Sequence, residues 1–274
     1  MRTVVLTGAT SGIGLAAARL FAPDAGCLIL HGRQAADKTE PLLGELRRTM
    51  GPDARLHYLR ADFSDQADVD KLARDLVDLT DRIDLLINNA GCAGPSRRTV
   101  LPNGNEVTFQ VNYLAPVALT TMLLPLLGTP AGRIVNIASA THYSPPDLDL
   151  EDLDRSGHRY SAYNAYANSK LALVAWSCWL ARNRPSAQVE VVSMHPGAIA
   201  TKILHEMVGG GGDPPEVGAA HIRYVAARHG DNGVYYDKRR RVEPNPVASD
   251  AVIQDTLHAR TSALLRERVS RHPA

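Results

Sequence analysis

Val4-Val5-Leu6-Thr7-Gly8-Ala9-Thr10-Ser11-Gly12-Ile13-Gly14 is the stretch that decides the fold of this chain. Val4, Val5 and Leu6 read as a buried strand, and an apolar helical pattern runs from Gly12 to Phe21. Glycines that leave a strand and open a helix form a dinucleotide-binding pattern. Gly8 allows the tight turn, Gly12 lets the backbone approach a pyrophosphate, and Gly14 lets the helix pack against the strand. The helix then turns its unpaired N–H groups, beginning around Ser11, Gly12 and Ile13, and its positive dipole end toward the phosphates.

Outward from that junction the pattern repeats. Strand-like runs at Cys27 to His31, Leu56 to Leu59, Ile83 to Ile87, Arg133 to Ala138 and Val189 to Met194 alternate with helical stretches. The helical stretches lie around Pro41 to Met50, Asp65 to Leu79, Glu106 to Leu127 (interrupted by Pro116) and Ser161 to Arg182. A short strand near Val234 to Asp237 and a helix near Ser249 to Arg268 end the series. Repeated β-α units make a parallel sheet with helices on both faces. The expected fold is therefore α/β, one doubly wound Rossmann domain spanning residues 1–274.

Three stretches stand outside the repeat. Gly209 to Gly212 cannot form a helix interior and predicts a mobile loop, within a substrate lid over about residues 198–216. His142 to Tyr160 is rich in Pro and Asp and predicts a solvated loop, since its acids lack a calcium-loop spacing. Lys238 to Arg241 predicts a solvated turn.

Composition narrows the function. Thirty basic residues stand against twenty-nine acidic ones in 274 residues, a net charge of +1. That balance argues against nucleic acid or an anionic membrane as the main partner. No apolar run in the sequence approaches the roughly 20 residues of a membrane span. The N-terminus enters a strand directly, unlike a signal peptide, so a cytoplasmic protein without a membrane anchor is expected. Cys27, Cys92 and Cys178 are odd in number and far apart, and the ten histidines form no ligand spacing, so no metal site is expected. Only five of the thirty basic residues are lysine, a bias that fits a GC-rich bacterial genome.

Two further sites carry chemistry. The second strand ends in His31-Gly32-Arg33, without the acid that would take a ribose 2′-hydroxyl. An arginine there suits a 2′-phosphate through paired N–H donors, so NADP(H) is expected in preference to NAD(H). Tyr166 and Lys170 are four residues apart, on one face of a helix. A tyrosine ionises only near pH ~10, and a lysine ammonium one turn away would lower that value.

Taken together, these residues resemble the short-chain dehydrogenase/reductase family over nearly the whole chain. Its T-G-x-x-x-G-x-G pattern is Thr7 to Gly14, and its N-N-A-G element is Asn88-Asn89-Ala90-Gly91. Its helix asparagine matches Asn112, its strand-closing serine Ser139, its Y-x-x-x-K Tyr166 to Lys170, and its P-G-x-x-x-T Pro196-Gly197 to Thr201. FQVNYLAP, RIVNIASATH, YNAYANSKLAL, MHPGAIATKI and GVYYD are similar to the branch holding retinol dehydrogenases, the WW-domain oxidoreductase and protochlorophyllide reductase. Two positions depart from that branch: Ala138 stands for a frequent serine, and His258 for a frequent tryptophan.

The resemblance implies roles. Tyr166 would be the general acid or base, Ser139 would hold the substrate oxygen, and Lys170 would tune Tyr166 and bind the nicotinamide ribose. Asn112 would position a water in a proton relay. Asp62 would contact the adenine, Asn89 and Ala90 the adenosine side with Gly91 beside them, and Ile199 and Thr201 the carboxamide end after Pro196-Gly197. The implied reaction interconverts a ketone or aldehyde and an alcohol on a small lipophilic substrate, reductively, with bacterial secondary metabolism as the setting. Cys92 to Pro95, Thr141 to Tyr143, Tyr160 to Tyr163 and Ile203 to Val208 would line the pocket. The alternatives are a redox-neutral epimerase or cyclase that retains its cofactor, and a non-catalytic NADP sensor. A homodimer is the family's common state, and Trp176 and Trp179 are free to pack on the core or on a partner.

Overall fold

The computed structural model describes residues 2–127, 132–154, 156–184 and 188–269. Strand β1 (Thr3–Leu6) leads into α1 (Gly12–Phe21), then β2 (Cys27–Gly32), α2 (Ala36–Arg47), β3 (Arg55–Arg60) and α3 (Gln66–Leu79). After β4 (Leu85–Asn88), a short α4 (Val107–Phe109) passes through a π turn (Gln110–Leu114) into α5 (Ala115–Leu127). Next come β5 (Arg133–Ile137), a 3-10 turn (Ala140–Tyr143), α6 (Ala162–Arg182) and β6 (Glu190–His195). Helices α7 (Lys202–Val208) and α8 (Pro215–Ala226), strands β7 (Tyr235–Asp237) and β8 (Arg240–Val242), and helices α9 (Pro246–Ser249) and α10 (Ala251–Val269) complete the order.

The strands form one sheet in the order β3-β2-β1-β4-β5-β6-β7-β8. All neighbours are parallel except β8, which runs antiparallel to β7. The doubly wound Rossmann architecture read from the sequence is thus the one observed. Alternate residues of each strand point to opposite faces. Val5, Ile29, Leu86, Ile134, Val191 and Tyr235 pack with α3, α5 and α6, while Val4, Leu28, Leu85, Val135, Val192 and Tyr236 pack with α1, α2 and α8. Burial on both faces is why the central strands read as continuous apolar runs. Strand order reverses between β1 and β4, and a crevice at the carboxyl ends of strands at such a reversal is where ligands bind.

Several local expectations change. Helix α2 begins at Ala36 rather than near Pro41, with Pro41 inside it, where the missing N–H leaves the Asp37 carbonyl without its usual intrahelical donor. Pro116 does not interrupt its helix. The ladder widens just before it, where the Ala115 N–H donates to the Gln110 carbonyl five residues back, one of the usual ways a helix accommodates an irregularity. This junction joins two apolar pieces into the helix Val107–Leu127, long and apolar enough by composition to cross a membrane, contrary to the reading of the bare sequence. Most of that helix is buried against the sheet.

Helix α8 falls where no element was expected; Pro215 opens it at a position that needs no N–H donor. The basic run is only half a turn. Lys238 takes φ 59° at the tip of the β7–β8 hairpin, whereas Arg240 and Arg241 lie in β8. There Arg241 pairs with the buried Asp231, and Arg240 with Asp237 at 3.1 Å. Both tryptophans are taken up within the chain: Trp176 in the core, and Trp179 stacked on His258 of α10 with ring centroids 3.4 Å apart. His258 therefore supplies a ring where the branch often has tryptophan.

Candidate active site

The glycine loop is held from below by side chains of the β4 end. Thr7 Oγ1 accepts the N–H groups of Asn89 (2.9 Å) and Ala90 (3.0 Å), and the Asn89 amide donates to the carbonyls of Thr7 (2.9 Å) and Gly8 (3.2 Å). A Cβ on Gly14 would lie 2.0 Å from the Gly8 carbonyl oxygen, so the closeness of α1 to this loop demands glycine there. Ser11 is the N-cap of α1, but its side chain makes no capping bond. The first N–H groups of α1, at Gly12, Ile13 and Gly14, are therefore open to an anion.

Above the loop stands the segment after β6. Pro196 and Gly197 are buried, and the Pro196 carbonyl meets His221 Nδ1 at 2.8 Å. A Cβ on Gly12 would lie 3.2 Å from Thr201 Cγ2. Thr201 caps α7 by accepting the Leu204 N–H at 3.3 Å, and Ile199 is buried against Gly218. A cleft of about 490 Å³ separates the two sides, lined by Gly12, Ala200, Thr201, Lys202, His205, Gly210, Gly211 and Pro215. This open helix end facing a cleft fits a dinucleotide pyrophosphate.

At the end of β2, Arg33 is exposed, and its guanidinium has no hydrogen bond or ion pair among the described residues. Its carbonyl accepts from Arg60 Nε at 3.3 Å. Asp62, after β3, accepts from the N–H and hydroxyl of Ser64 through Oδ1. Between them lies a residue that motif reading passed over. His31 accepts the Gly8 N–H at Nδ1 (3.4 Å) and meets the Ala61 carbonyl at Nε2 (3.0 Å), with its ring stacked on Phe63. Burial pushes its pKa down to about 4. A neutral imidazole thus ties the glycine loop to the β3 end.

Asn112, Ser139, Tyr166 and Lys170, the residues expected to be catalytic, converge at the ends of β4 and β5. Lys170 Nζ donates to the Ile137 carbonyl at 2.8 Å and lies 5.6 Å from the centroid of the Tyr166 ring. A Cβ on Gly91 would touch both Asn112 Oδ1 (3.1 Å) and Lys170 Nζ (3.7 Å). Asn112 accepts the Cys92 N–H (2.8 Å) and donates to the Cys92 carbonyl (2.9 Å) and Ser169 Oγ (3.1 Å). It sits in the π turn, a feature frequent at functional sites. Ser139 opens the 3-10 turn, where its Oγ accepts the Thr141 N–H at 3.2 Å.

Electrostatics differ from the sequence expectation. Burial dominates Tyr166 and pushes its pKa up to about 12, against a lowering by its hydrogen bond with Ser139. Lys170 is itself buried and lowered to about 8. Its ammonium faces the Ile137 carbonyl, so the lowering of Tyr166 here comes from the Ser139 hydroxyl.

The expected pocket segments are only partly assembled. Tyr160 joins the Cys92–Pro95 segment, donating to the Pro95 carbonyl at 3.2 Å. Tyr143 and Tyr163 are exposed, and Tyr163 meets Ser144 Oγ at 2.7 Å. His142 is wholly buried. In the Pro- and Asp-rich loop, Asp149, Asp152 and His158 lie within 4.8 Å of one another, and the two acids accept backbone N–H groups of local turns.

Comparison with known proteins decides the family. The model of the short chain dehydrogenase family matches residues 2–148. This chain is a short-chain dehydrogenase/reductase. Within the family, this short-chain dehydrogenase/reductase is 40% identical over 204 residues to a Streptomyces sp. (strain C5) protein named as daunorubicin C-13 ketoreductase DnrU, covering 74% of this chain and 67% of that one. It is 30% identical over 284 residues to retinol dehydrogenase 13 of Mus musculus, covering 96% and 84%, which supports the retinol dehydrogenase-like branch. An uncharacterized protein from Mycobacterium Paratuberculosis superposes with a TM-score of 0.78 at 28% identity, covering 97% of this chain and 94% of that one.

Proposed function

We propose that this oxidoreductase is an NADP(H)-dependent reductase of a small lipophilic ketone or aldehyde, working in the cytoplasm. The observation that carries the reading is the convergence of Ser139, Tyr166, Lys170 and Asn112 beside Gly91 at the carboxyl ends of β4 and β5. The ketoreductase name of the Streptomyces relative and an Escherichia coli CFT073 structure complexed with NADPH, 25% identical with a TM-score of 0.67, support it.

Bound NADPH would supply the hydride. Residues suited to hold it are Gly8, Ser11, Gly12, Ile13 and Gly14 at the pyrophosphate, Arg33 at a 2′-phosphate and Asp62 at the adenine. Asn89, Ala90, Gly91, Lys170, Pro196, Gly197, Ile199 and Thr201 would form the rest of the cradle. Tyr166 is protonated at neutral pH, since burial raises its pKa, so it is poised to donate its proton to the substrate oxygen. Ser139 offers a second donor to that oxygen, preorganised by the turn it opens. Pro116 has no N–H for the Asn112 carbonyl four residues before it. That carbonyl can take a water that would link Lys170 to solvent, the source from which the proton given up by Tyr166 is replaced. Helix α7 has no buried residue, and its segment is anchored at the Ile199–Asp213 bridge, an arrangement suited to a lid.

NADPH oxidation against a panel of quinones and aryl ketones tests the reading. Turnover with NADPH that vanishes in Tyr166→Phe supports it. NADH preference would sink the cofactor assignment, and full activity in Tyr166→Phe would sink the mechanism.

A further inference from the structure

Ser139 is held through its main chain as well as through its hydroxyl. Three residues after Ser139, in the 3-10 turn, the wholly buried His142 meets the Ser139 carbonyl through Nδ1 at 2.8 Å. On its other side, His142 Nε2 faces the Asn245 N–H at 3.2 Å. The Ser139 carbonyl also accepts the His142 main-chain N–H at 3.1 Å, and the Asn245 N–H needs an acceptor at Nε2, so the ring is the tautomer with hydrogen on Nδ1 and adds a second, side-chain donor to that carbonyl. The ring is confined by Tyr143 and Tyr235, with centroids 3.9 Å and 4.4 Å away. Asn245 is buried too: its amide donates to the carbonyls of His142 and Pro145, each at 3.0 Å, and its Oδ1 accepts the Val247 N–H at 2.9 Å. The segment after β8, about one hundred residues away in sequence, is thereby stitched to the turn that carries Ser139.

We propose that His142, locked by Asn245, is a positioning residue that sets the direction of the Ser139 hydroxyl through the Ser139 main-chain carbonyl. The carbonyl and side chain of Ser139 share one Cα, so a main-chain shift at that carbonyl moves Cα and carries Oγ with it relative to Tyr166. His142 touches no reacting group itself. A residue that merely filled the space between Tyr143 and Tyr235 would need no particular tautomer and would not meet a polar group on both edges. The inference rests on the reductase reading above.

The test is NADPH oxidation with 9,10-phenanthrenequinone as the probe carbonyl. The variants are His142→Phe, which keeps the ring but removes both hydrogen bonds, and His142→Asn, whose Nδ2 can replace the Nδ1 donor. Both are made in the wild type and in Ser139→Ala. The expected result is a kcat loss of about 10- to 100-fold in His142→Phe, the scale of an ångström misplacement. NADPH affinity by fluorescence should stay within about twofold, and His142→Asn should recover most of the loss. In Ser139→Ala, His142→Phe should cost nothing further, as expected for residues acting as one unit.

Equal losses in both backgrounds, unchanged kcat, or parallel collapse of NADPH binding would overturn the inference. If His142→Phe does not fold, Asn245→Ala takes its place. It releases the same turn and should lower kcat by a smaller, Ser139-dependent factor; a Ser139-independent loss, or none, overturns the inference. No turnover by the wild-type protein with phenanthrenequinone or the ketone panel would instead refute the reductase reading, and this inference with it.

Discussion

Lys170 and Tyr166 lie one turn apart on α6, yet the lysine ammonium donates to the Ile137 carbonyl and sits 5.6 Å from the tyrosine ring centroid. The lysine is anchored to the end of β5, the strand that Ser139 follows, so sheet and helix hold Tyr166 and Ser139 in one frame. The phenol itself answers mainly to its burial and to Ser139.

Removing that phenol should lower kcat by about 10²- to 10⁴-fold, the usual worth of a positioned general acid. Tyr166→Phe should retain NADPH binding. Steady-state NADPH oxidation with parallel fluorescence titration checks both, and a wild-type rate in the variant would remove Tyr166 from the mechanism.

Arg33 makes no ion pair among the described residues and is exposed at the end of β2. Arg33→Ala should weaken NADPH binding by about 10-fold or more, the scale of a lost charge-assisted pair, and leave NADH binding unchanged. Intrinsic fluorescence titration with the two nucleotides reads the ratio. Equal weakening for both would show that Arg33 does not read the 2′-phosphate.

Acid should destabilise the cofactor-free protein through two buried histidines. His31 and His142 are each lowered from 6.5 to about 4. Between those values the unfolded chain takes up protons that the folded chain refuses, so stability is lost as pH falls through this window and is fully present above it. Each histidine contributes about 3 kcal/mol to that loss by pH ~4. Urea midpoints at pH 7, 5.5 and 4.5 should fall steeply, and His31→Phe should flatten part of the fall. A level profile would contradict the buried neutral state of both rings.

Two glycines should respond oppositely to the same added methyl. Gly14→Ala puts a Cβ 2.0 Å from the Gly8 carbonyl oxygen, and should cost several-fold in NADPH affinity together with a lowered Tm. In Gly44→Ala the nearest neighbour of the new Cβ is Arg48 Nη1 at 3.9 Å, and α2 should gain about 0.5–1 kcal/mol. Thermal melts and fluorescence titration compare them; an unaffected Gly14→Ala would show that the loop and α1 are not in close contact.

By itself the sequence determined the Rossmann sheet and the glycine loop and set Tyr166 and Lys170 on one helix face; Asn112 and Ser139 were singled out only by the family resemblance. Strand periodicity, glycine spacing and a four-residue helical step are local signals, and a local signal survives without knowledge of what packs against it. Only the tertiary structure decided the rest. The β8 hairpin, the π turn before Pro116 and helix α8 depend on what each segment meets across the fold, as Arg241 meets the buried Asp231. The same holds for His31 and His142. Each is a lone histidine in sequence, and each acquires its role from partners 23 to 103 residues away in the chain. A hydrogen bond between distant segments leaves no spacing to read, because folding alone brings its donor and acceptor together.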